Sequence, residues 1–470
     1  MIERLNREHP EYRDRKEMWQ RYWDFYVGGE QLRRNASFYL VRRQKEPNDV
    51  YAERLARVFY ENYLGSCIDW YAATLFRTRP VITVRTAIRP VQDFYTELLE
   101  DCDCRGTPLL ELARKVFIQT LVFRESFLLV DFPRVAGDVA SRAEEDAVGK
   151  SRAYAVPYSP QQLINWKLDK DGDYEWVVLR TERTYQEDLN SPDVIREQCW
   201  SYYDRENFQI YKLASHKIDS GVSETSSPDG GGVELVDEGQ HGLAGLGRVP
   251  LVKMSVTDGL WLANKVGLLQ QEHFNKSNAL SWALHMGLFA MPVIYSEREW
   301  QQIVGEAYYI QLAPNDRFGW TEPEGHVFQI AADNLDRLKD EIYRVCYLMT
   351  QAGGREAHNL GQSGVSKRRD FAVTQEVLRA YGDLVKDFLG RVLQLTAQAR
   401  KDPVEIEITG MDQFEEPDFG EELKNARGLQ EIGIGSSRFE KEVRKRVALK
   451  YLENASQETK NEILREIEAG

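Results

Sequence analysis

Cysteine is scarce: there are five in 470 residues, an odd count that offers no disulfide framework. Cys102 and Cys104 stand too close together for an ordinary disulfide, and no second ligand pair follows to complete a zinc site. Histidine is thin as well, at seven, with no HExxH or other helical ligand spacing. No Gly-x-Ser-x-Gly nucleophile elbow occurs. The expectation is therefore no catalytic residue, no metal and no cofactor. Long apolar runs are also missing. The longest uncharged stretch, Ser277 to Ser296, has about the twenty residues a bilayer needs, but Asn278, Ser281, His285 and Pro292 interrupt it and no aromatic belt frames it. It is expected to be a buried helix end feeding a strand at Pro292–Tyr295, with no membrane partner. Met1-Ile-Glu-Arg-Leu-Asn-Arg is not hydrophobic, so no signal peptide is expected, and a reducing cytoplasm is. Positive charge is in deficit, with 61 Lys and Arg against 75 Asp and Glu. A net charge of −14 argues against a basic groove that grips phosphate. It does not argue against a channel that a polyanion slides through, because a repelling wall does not hold the strand in place.

What is present is enough apolar residue for a sizeable core: 42% of the chain is hydrophobic and 29% charged, over a length that suggests two to four domains. Residues 1 to 133 read as mostly helical. Thr107-Pro108 reads as the cap and first turn of a helix from Leu109 to Val122, and Phe127 to Phe132 as a buried strand. Residues 134 to 152 read as a polar surface loop. Strands are expected at Tyr174–Leu179, Gln198–Tyr203 and Phe208–Leu213, each aromatic or β-branched and bounded by turn residues. Ser220 to Gly247 reads as a flexible hairpin or disordered tip. After Pro403 the chain turns acidic, then a helical pair follows, with Ser437 capping Arg438–Lys450 and a second helix at Gln457–Ile467.

Several motifs resemble known sites and fail on chemistry. Gly149-Lys150-Ser151 ends like a phosphate-binding loop, but the required upstream glycine is Glu144, and Glu145 and Asp146 would repel phosphate. Asp169-Lys-Asp-Gly-Asp173 hints at calcium, yet Arg180 occupies the position of the bidentate acid, so a hairpin turn is expected. Trp19, Tyr22, Trp23 and Tyr26, interleaved with Arg13, Arg15, Lys16 and Arg21, suit a packing face better than a base-stacking platform. His273 on an apolar stripe is expected to be a satisfied polar contact and not a ligand.

The most informative stretch is residues 258 to 400, which orders three helical segments around two unlike interruptions. The first segment runs from about Asp258 to Leu288 and leads into an insert rich in Pro, Gly and aromatics. The second, Asn334 to Gln351, carries Leu335, Leu338, Ile342, Val345 and Met349 at helical spacing. A glycine-rich stretch, Gly353 to Gly364, comes next. The third segment sets Phe371, Leu378, Tyr381, Val385, Phe388, Val392 and Leu395 on one stripe. Stripes this long on the second and third segments exceed what one chain is expected to cover, which points to contacts between subunits.

A helix pair around a small insert, then a glycine-rich loop, then a long helix resembles the stem, clip, tunnel loop and backbone helix of tailed-bacteriophage portal proteins. Trp19-Gln-Arg-Tyr-Trp-Asp-Phe-Tyr-Val-Gly-Gly29, Tyr51 to Tyr63, Tyr158 to Trp166 and Ser363 to Asp370 are similar to that family in order and spacing, so the resemblance spans most of the chain. It departs from commoner portals in the glycine-rich stretch near residue 230. It implies an α+β portal fold, mainly helical, with a β-rich wing at 1–257 in which an entering helix ends in a short strand at Leu75–Ile82, stem helices at 258–288 and 334–351, and a small α/β clip at 289–333. The tunnel loop would be 352–366, the backbone helix 367–402 and the crown 403–470. By the same resemblance Gly353, Gly354, Arg355, His358, Asn359, Gly361, Gln362, Gly364, Lys367 and Arg368 would face DNA, and the partners would be further copies of the chain, usually twelve. The others implied are double-stranded DNA, the packaging terminase, major capsid and scaffolding proteins, and a head–tail adaptor. Assembly would take place in the host bacterial cytoplasm and the final location would be one vertex of the virion capsid. The alternatives are a nucleotide- or nucleic-acid-processing enzyme and a non-channel head scaffold component.

Overall fold

The computed structural model describes residues 1–133, 152–186, 194–213, 216–218, 232–287, 291–295, 317–321, 325–348, 364–412, 414, 427–428, 435–452 and 457–469. Helices and antiparallel strands mix throughout, as an α+β chain should. The chain packs as two compact units, one formed by Met1–Trp23, Ile68–Ala263 and Ala372–Gly470, the other by Asp24–Cys67 and Asn264–Phe371.

In the first unit, strand β2 (Glu125–Asp131) lies between β10 (Leu251–Ser255) and β3 (Tyr154–Tyr158). Its sequence, Phe-Leu-Leu-Val at the centre, is apolar on both faces and is buried on both. Helix α7 (Leu109–Phe123) packs on it, burying Val116, Phe117 and Leu121. A larger antiparallel sheet orders β4 (Leu163–Leu168), β5 (Tyr174–Gln186), β6 (Val194–Asp204), β7 (Asn207–Leu213) and β9 (Val233–Gln240), with β8 (His216–Ile218) also on β6. Phe127, Leu129, Leu163, Val177, Leu179 and Phe208 join the two sheets in one core cluster. Between β4 and β5, Asp169 Oδ1 accepts the amides of Asp171 and Asp173 at 2.9 Å each, and Gly172 takes φ +88°, so the acidic motif is the hairpin turn.

Several local expectations shift. Residues 75–77 belong to helix α5 (Tyr63–Arg77), because Leu64, Ile68, Tyr71 and Leu75 form its buried stripe. The strand begins only after Pro80, as β1 (Val81–Arg85). Pro108, not Thr107, is the cap residue of α7 and makes no side-chain cap bond. Helix α11 (Ser437–Tyr451) is capped by Ser436, whose hydroxyl accepts the Phe439 amide at 3.3 Å, and α12 follows at Gln457–Ala469. Within the stretch expected to be a loose tip lies β9, registered against β7 from Asn207 opposite Gln240 to Leu213 opposite Val233. Most of its side chains are exposed, so backbone pairing holds it where no apolar signal could. Residues 134–151 and 220–231 lie outside the described residues, and with them Lys150.

The acidic run after Pro403 also contains a strand, β13 (Glu405–Thr409), paired antiparallel with β1 from Val81 opposite Thr409 to Arg85 opposite Glu405. Its Glu-Ile-Glu-Ile-Thr alternation is a strand signal masked by its charge. Arg85 Nη2 lies 2.9 Å from the Glu407 carboxylate. The long third helix, α10, runs Gly364–Arg400. Leu378, Tyr381, Val385, Phe388 and Val392 on it are almost fully buried within this one chain. Tyr381 meets Tyr71 and Phe117 edge-on, each at 5.3 Å, and donates to the Leu260 carbonyl at 2.6 Å. The expectation that this stripe needs a neighbouring subunit is thus corrected: α5 and α7 of the same unit supply the partners. Trp19 and Tyr22 of helix α2 (Pro10–Val27) are core residues too, with the Trp19 indole donating to the Phe123 carbonyl at 3.0 Å.

Candidate functional site

The candidate site is the helix pair of the second unit and the segment that follows it. Helix α8 (Leu262–Gly287) and helix α9 (Gly325–Val345) are antiparallel neighbours. Lys265 Nζ lies 2.8 Å from the Tyr347 hydroxyl and Lys276 Nζ 2.9 Å from Asn334 Oδ1, so residues advance along one helix as they recede along the other. By that register Leu284 stands level with Val327. At 1.5 Å rise per residue the pair is about 30–40 Å long. The insert between the helices pairs β11 (Met291–Tyr295) with β12 (Arg317–Thr321), so the strand expected at Pro292–Tyr295 is present. The second helix begins nine residues before Asn334 and ends at Val345, earlier than expected, because Tyr347 turns the chain with φ +60°.

Sequence patterns missed what positions α8. Beside Val266 and Phe274 its buried face carries polar side chains, with Gln270, His273, Ser277 and Asn278 all nearly inaccessible. Gln270 accepts the Leu64 amide at 3.1 Å and donates to the Glu61 carbonyl at 2.9 Å. Asn275 accepts the Val41 amide at 2.8 Å and donates to the Tyr39 carbonyl at 3.0 Å. Asn278 does the same for Phe59, at 3.1 and 3.0 Å. Each carboxamide fills one donor and one acceptor of backbone at or beyond helix ends that would otherwise be stranded. The only sequence signal is the spacing of these amides, which a hydrophobicity pattern does not weigh. An aromatic cluster of Phe25, Tyr39, Tyr60 and Phe274 completes this core, and buried Asp24 accepts from Gln31, Asn35 and Tyr39 at 2.9, 2.8 and 2.5 Å.

His273 differs from expectation. Its Nε2 lies 3.6 Å from the Glu61 carboxylate, but its Nδ1 is buried without a hydrogen-bond partner among the described residues. Burial holds its pKa below the ordinary 6.5; Glu61 opposes that shift and Lys339 adds to it. Nearby, Leu40, Trp282, Asn278 and two arginines line a cavity of about 350 Å³. The arginines are already neutralised, Arg54 by buried Glu46 at 2.8 Å and Arg57 by Glu53 at 2.9 Å, so the cavity does not have the free positive charge an anion site needs.

Of the residues expected to face DNA, Gly353, Gly354, Arg355, His358, Asn359, Gly361 and Gln362 lie outside the described residues. Gly364, Lys367 and Arg368 fall in the first turns of α10, so the helix starts inside the expected loop. Among the described residues no group of His, Cys, Asp or Glu side chains could hold a metal ion, and no helix is long and apolar enough to cross a membrane.

No family model matches the sequence, and no curated protein matches it. Among solved structures the chain is similar to one in the neck of an empty gene transfer agent particle computed with C6 symmetry. That likeness has 12% identity and a TM-score of 0.43, over 84% of this chain and 93% of that one. It is also similar to a chain of the native gene transfer agent virion, at 11% identity and a TM-score of 0.40, over 85% and 93%.

Proposed function

We propose that this chain is a portal protein of a tailed phage, one subunit of a ring at a capsid vertex through which DNA is packed and later ejected. The observation that carries the reading is the order of elements from 262 to 400: α8, a two-stranded insert, the antiparallel return helix α9, a glycine-rich segment, then the 37-residue α10. In this reading α8 and the part of α9 from Asn334 onward are the stem, 289–333, with the first turns of α9, the clip, 352–366 the tunnel loop, 1–257 the wing and 403–470 the crown. The ring holds twelve copies, binds terminase, capsid, scaffolding and adaptor proteins, and catalyses nothing.

Intersubunit contact in this reading falls to the helix pair, not to α10. Val327 and Ile330 on α9 are 63% and 56% exposed, and Leu284, level with them on α8, is 41% exposed. Three large apolar side chains at one level of a helix pair are open to a neighbour. Light scattering and negative-stain images of the pure protein test the reading. Twelve chains of 54.4 kDa give a particle of roughly 650 kDa with an axial hole. A monomer at micromolar concentration with no rings on grids overturns it.

A further inference from the structure

The second unit holds two cysteines, and they meet. Cys67, on the last turn that α5 contributes to this unit, is 1% exposed; Cys346, in the turn after α9, is wholly buried; both are free thiols. The Cys67 side chain is the neighbour that most strongly perturbs the Cys346 thiol. The neighbouring turns of the same two helices repeat the contact, with Tyr63 and Tyr343 edge to face at 6.1 Å, so the thiols face each other across a packed interface. The backbone around Cys346 is tightly specified. Its amide donates to the Ile342 carbonyl at 3.2 Å, and the Leu348 amide to Tyr343 at 2.9 Å. Tyr347 between them takes φ +60°, held by Lys265, whose ammonium sits 4.2 Å from the ring centroid. The other three cysteines, Cys102, Cys104 and Cys199, belong to the first unit.

We propose that Cys67 and Cys346 are a redox pair that closes to a disulfide in the folded chain, tying the turn at 346–348 covalently to α5. Closure removes two protons and two electrons, which an azodicarboxamide oxidant accepts. One thiolate adds to the N=N bond, forming S–N while the other nitrogen takes a proton. The second thiolate then attacks that sulfur; S–S forms, S–N breaks and the hydrazine leaves carrying the second proton. The neighbouring Cys67 side chain, and then burial, hold the Cys346 thiol well above the ordinary thiol range, so closure is slow at neutral pH and speeds up in alkali. In a particle assembled in a reducing cytoplasm and then released, the bridge would close after assembly. That consequence rests on the portal reading, whereas the chemistry can be tested on the purified chain whatever its function.

The full-length native chain is treated with diamide, quenched with iodoacetamide in denaturant, digested without reductant and examined by mass spectrometry. The expected product is a Cys67–Cys346 linked peptide pair lighter by two hydrogens than the separate thiol peptides, and released by dithiothreitol. Cys67→Ser and Cys346→Ser each abolish it, and Cys199→Ser retains it. Amide hydrogen exchange at Tyr347 and Leu348 slows on oxidation and recovers on reduction, which an unrelated oxidation of exposed Cys104 would not produce. A native chain whose Cys67 and Cys346 both remain alkylatable while Cys104 is consumed overturns the proposal. So does a link from either to any other cysteine.

Discussion

α10 and α8 are both long helices with a stripe facing inward, and the α8 stripe is far richer in polar side chains. α10 buries Leu378, Tyr381, Val385, Phe388 and Val392, whereas α8 buries Gln270, His273, Ser277 and Asn278 beside Val266 and Phe274. The apolar stripe is held by area removed from water, which is tolerant of partner and direction. The polar stripe is held by carboxamides that pair with single backbone groups of Leu64, Glu61 and Phe59, and is specific to them. One helix can therefore be found by its hydrophobic period. The other resembles an interrupted apolar run, which is why Ser277 to Ser296 mimics a membrane span.

The largest effect that separates the two is on α10. Phe388→Ala should cost about 3–5 kcal/mol in urea-induced unfolding of the first unit, because a fully buried ring leaves a cavity. A loss under about 1 kcal/mol would mean that the stripe is not the core of the chain. Next is Asn278→Ala on α8. It strands one donor and one acceptor of Phe59 and should cost about 2–4 kcal/mol, with little recovered by Asn278→Leu, since the loss is of pairing and not of volume. Recovery by leucine would erase the distinction between the stripes.

His273 gives a smaller effect with a definite sign. Its folded pKa lies below 6.5, so the unfolded chain binds the extra proton first and stability falls as pH drops below about 6.5. Above that, His273 contributes no pH dependence. Chemical denaturation at a series of pH values should show the decline flatten in His273→Gln; an unchanged slope would assign it to other groups. Smallest on stability is the pair Val327→Asp and Ile330→Asp, expected within about 0.5 kcal/mol of the parent because both are exposed. The same pair should nevertheless reduce the assembled species seen by light scattering. Unchanged assembly would remove the open end of the helix pair from any interface.

The strands at 174, 198 and 208 and the helices at 262, 364 and 437 were legible because hydrophobic period is a local property. β9 and β13 were not, for different reasons. β9 has mostly exposed side chains and is held by the edge of β7, a contact across more than twenty residues of chain. β13 carries a clear alternation, but its glutamates read as an acidic run until Arg85 of β1 stands opposite Glu405. Of the candidate site, the order of helices was legible. The positioning amides were not, since nothing about Gln270 or Asn278 alone says that a backbone group will stand before it.

The amino-acid sequence by itself determined where the strongly periodic helices and strands run, the acidic balance of the chain and the absence of cysteine or histidine frameworks, because each follows from neighbours along the chain. Only the tertiary structure decided which surface each stripe meets. The α10 stripe closes on Tyr71 and Phe117 and needs no second subunit, and Cys67 finds Cys346. Burial is a property of residues brought together from distant positions, and a period of 3.6 specifies that a face is covered without specifying by what.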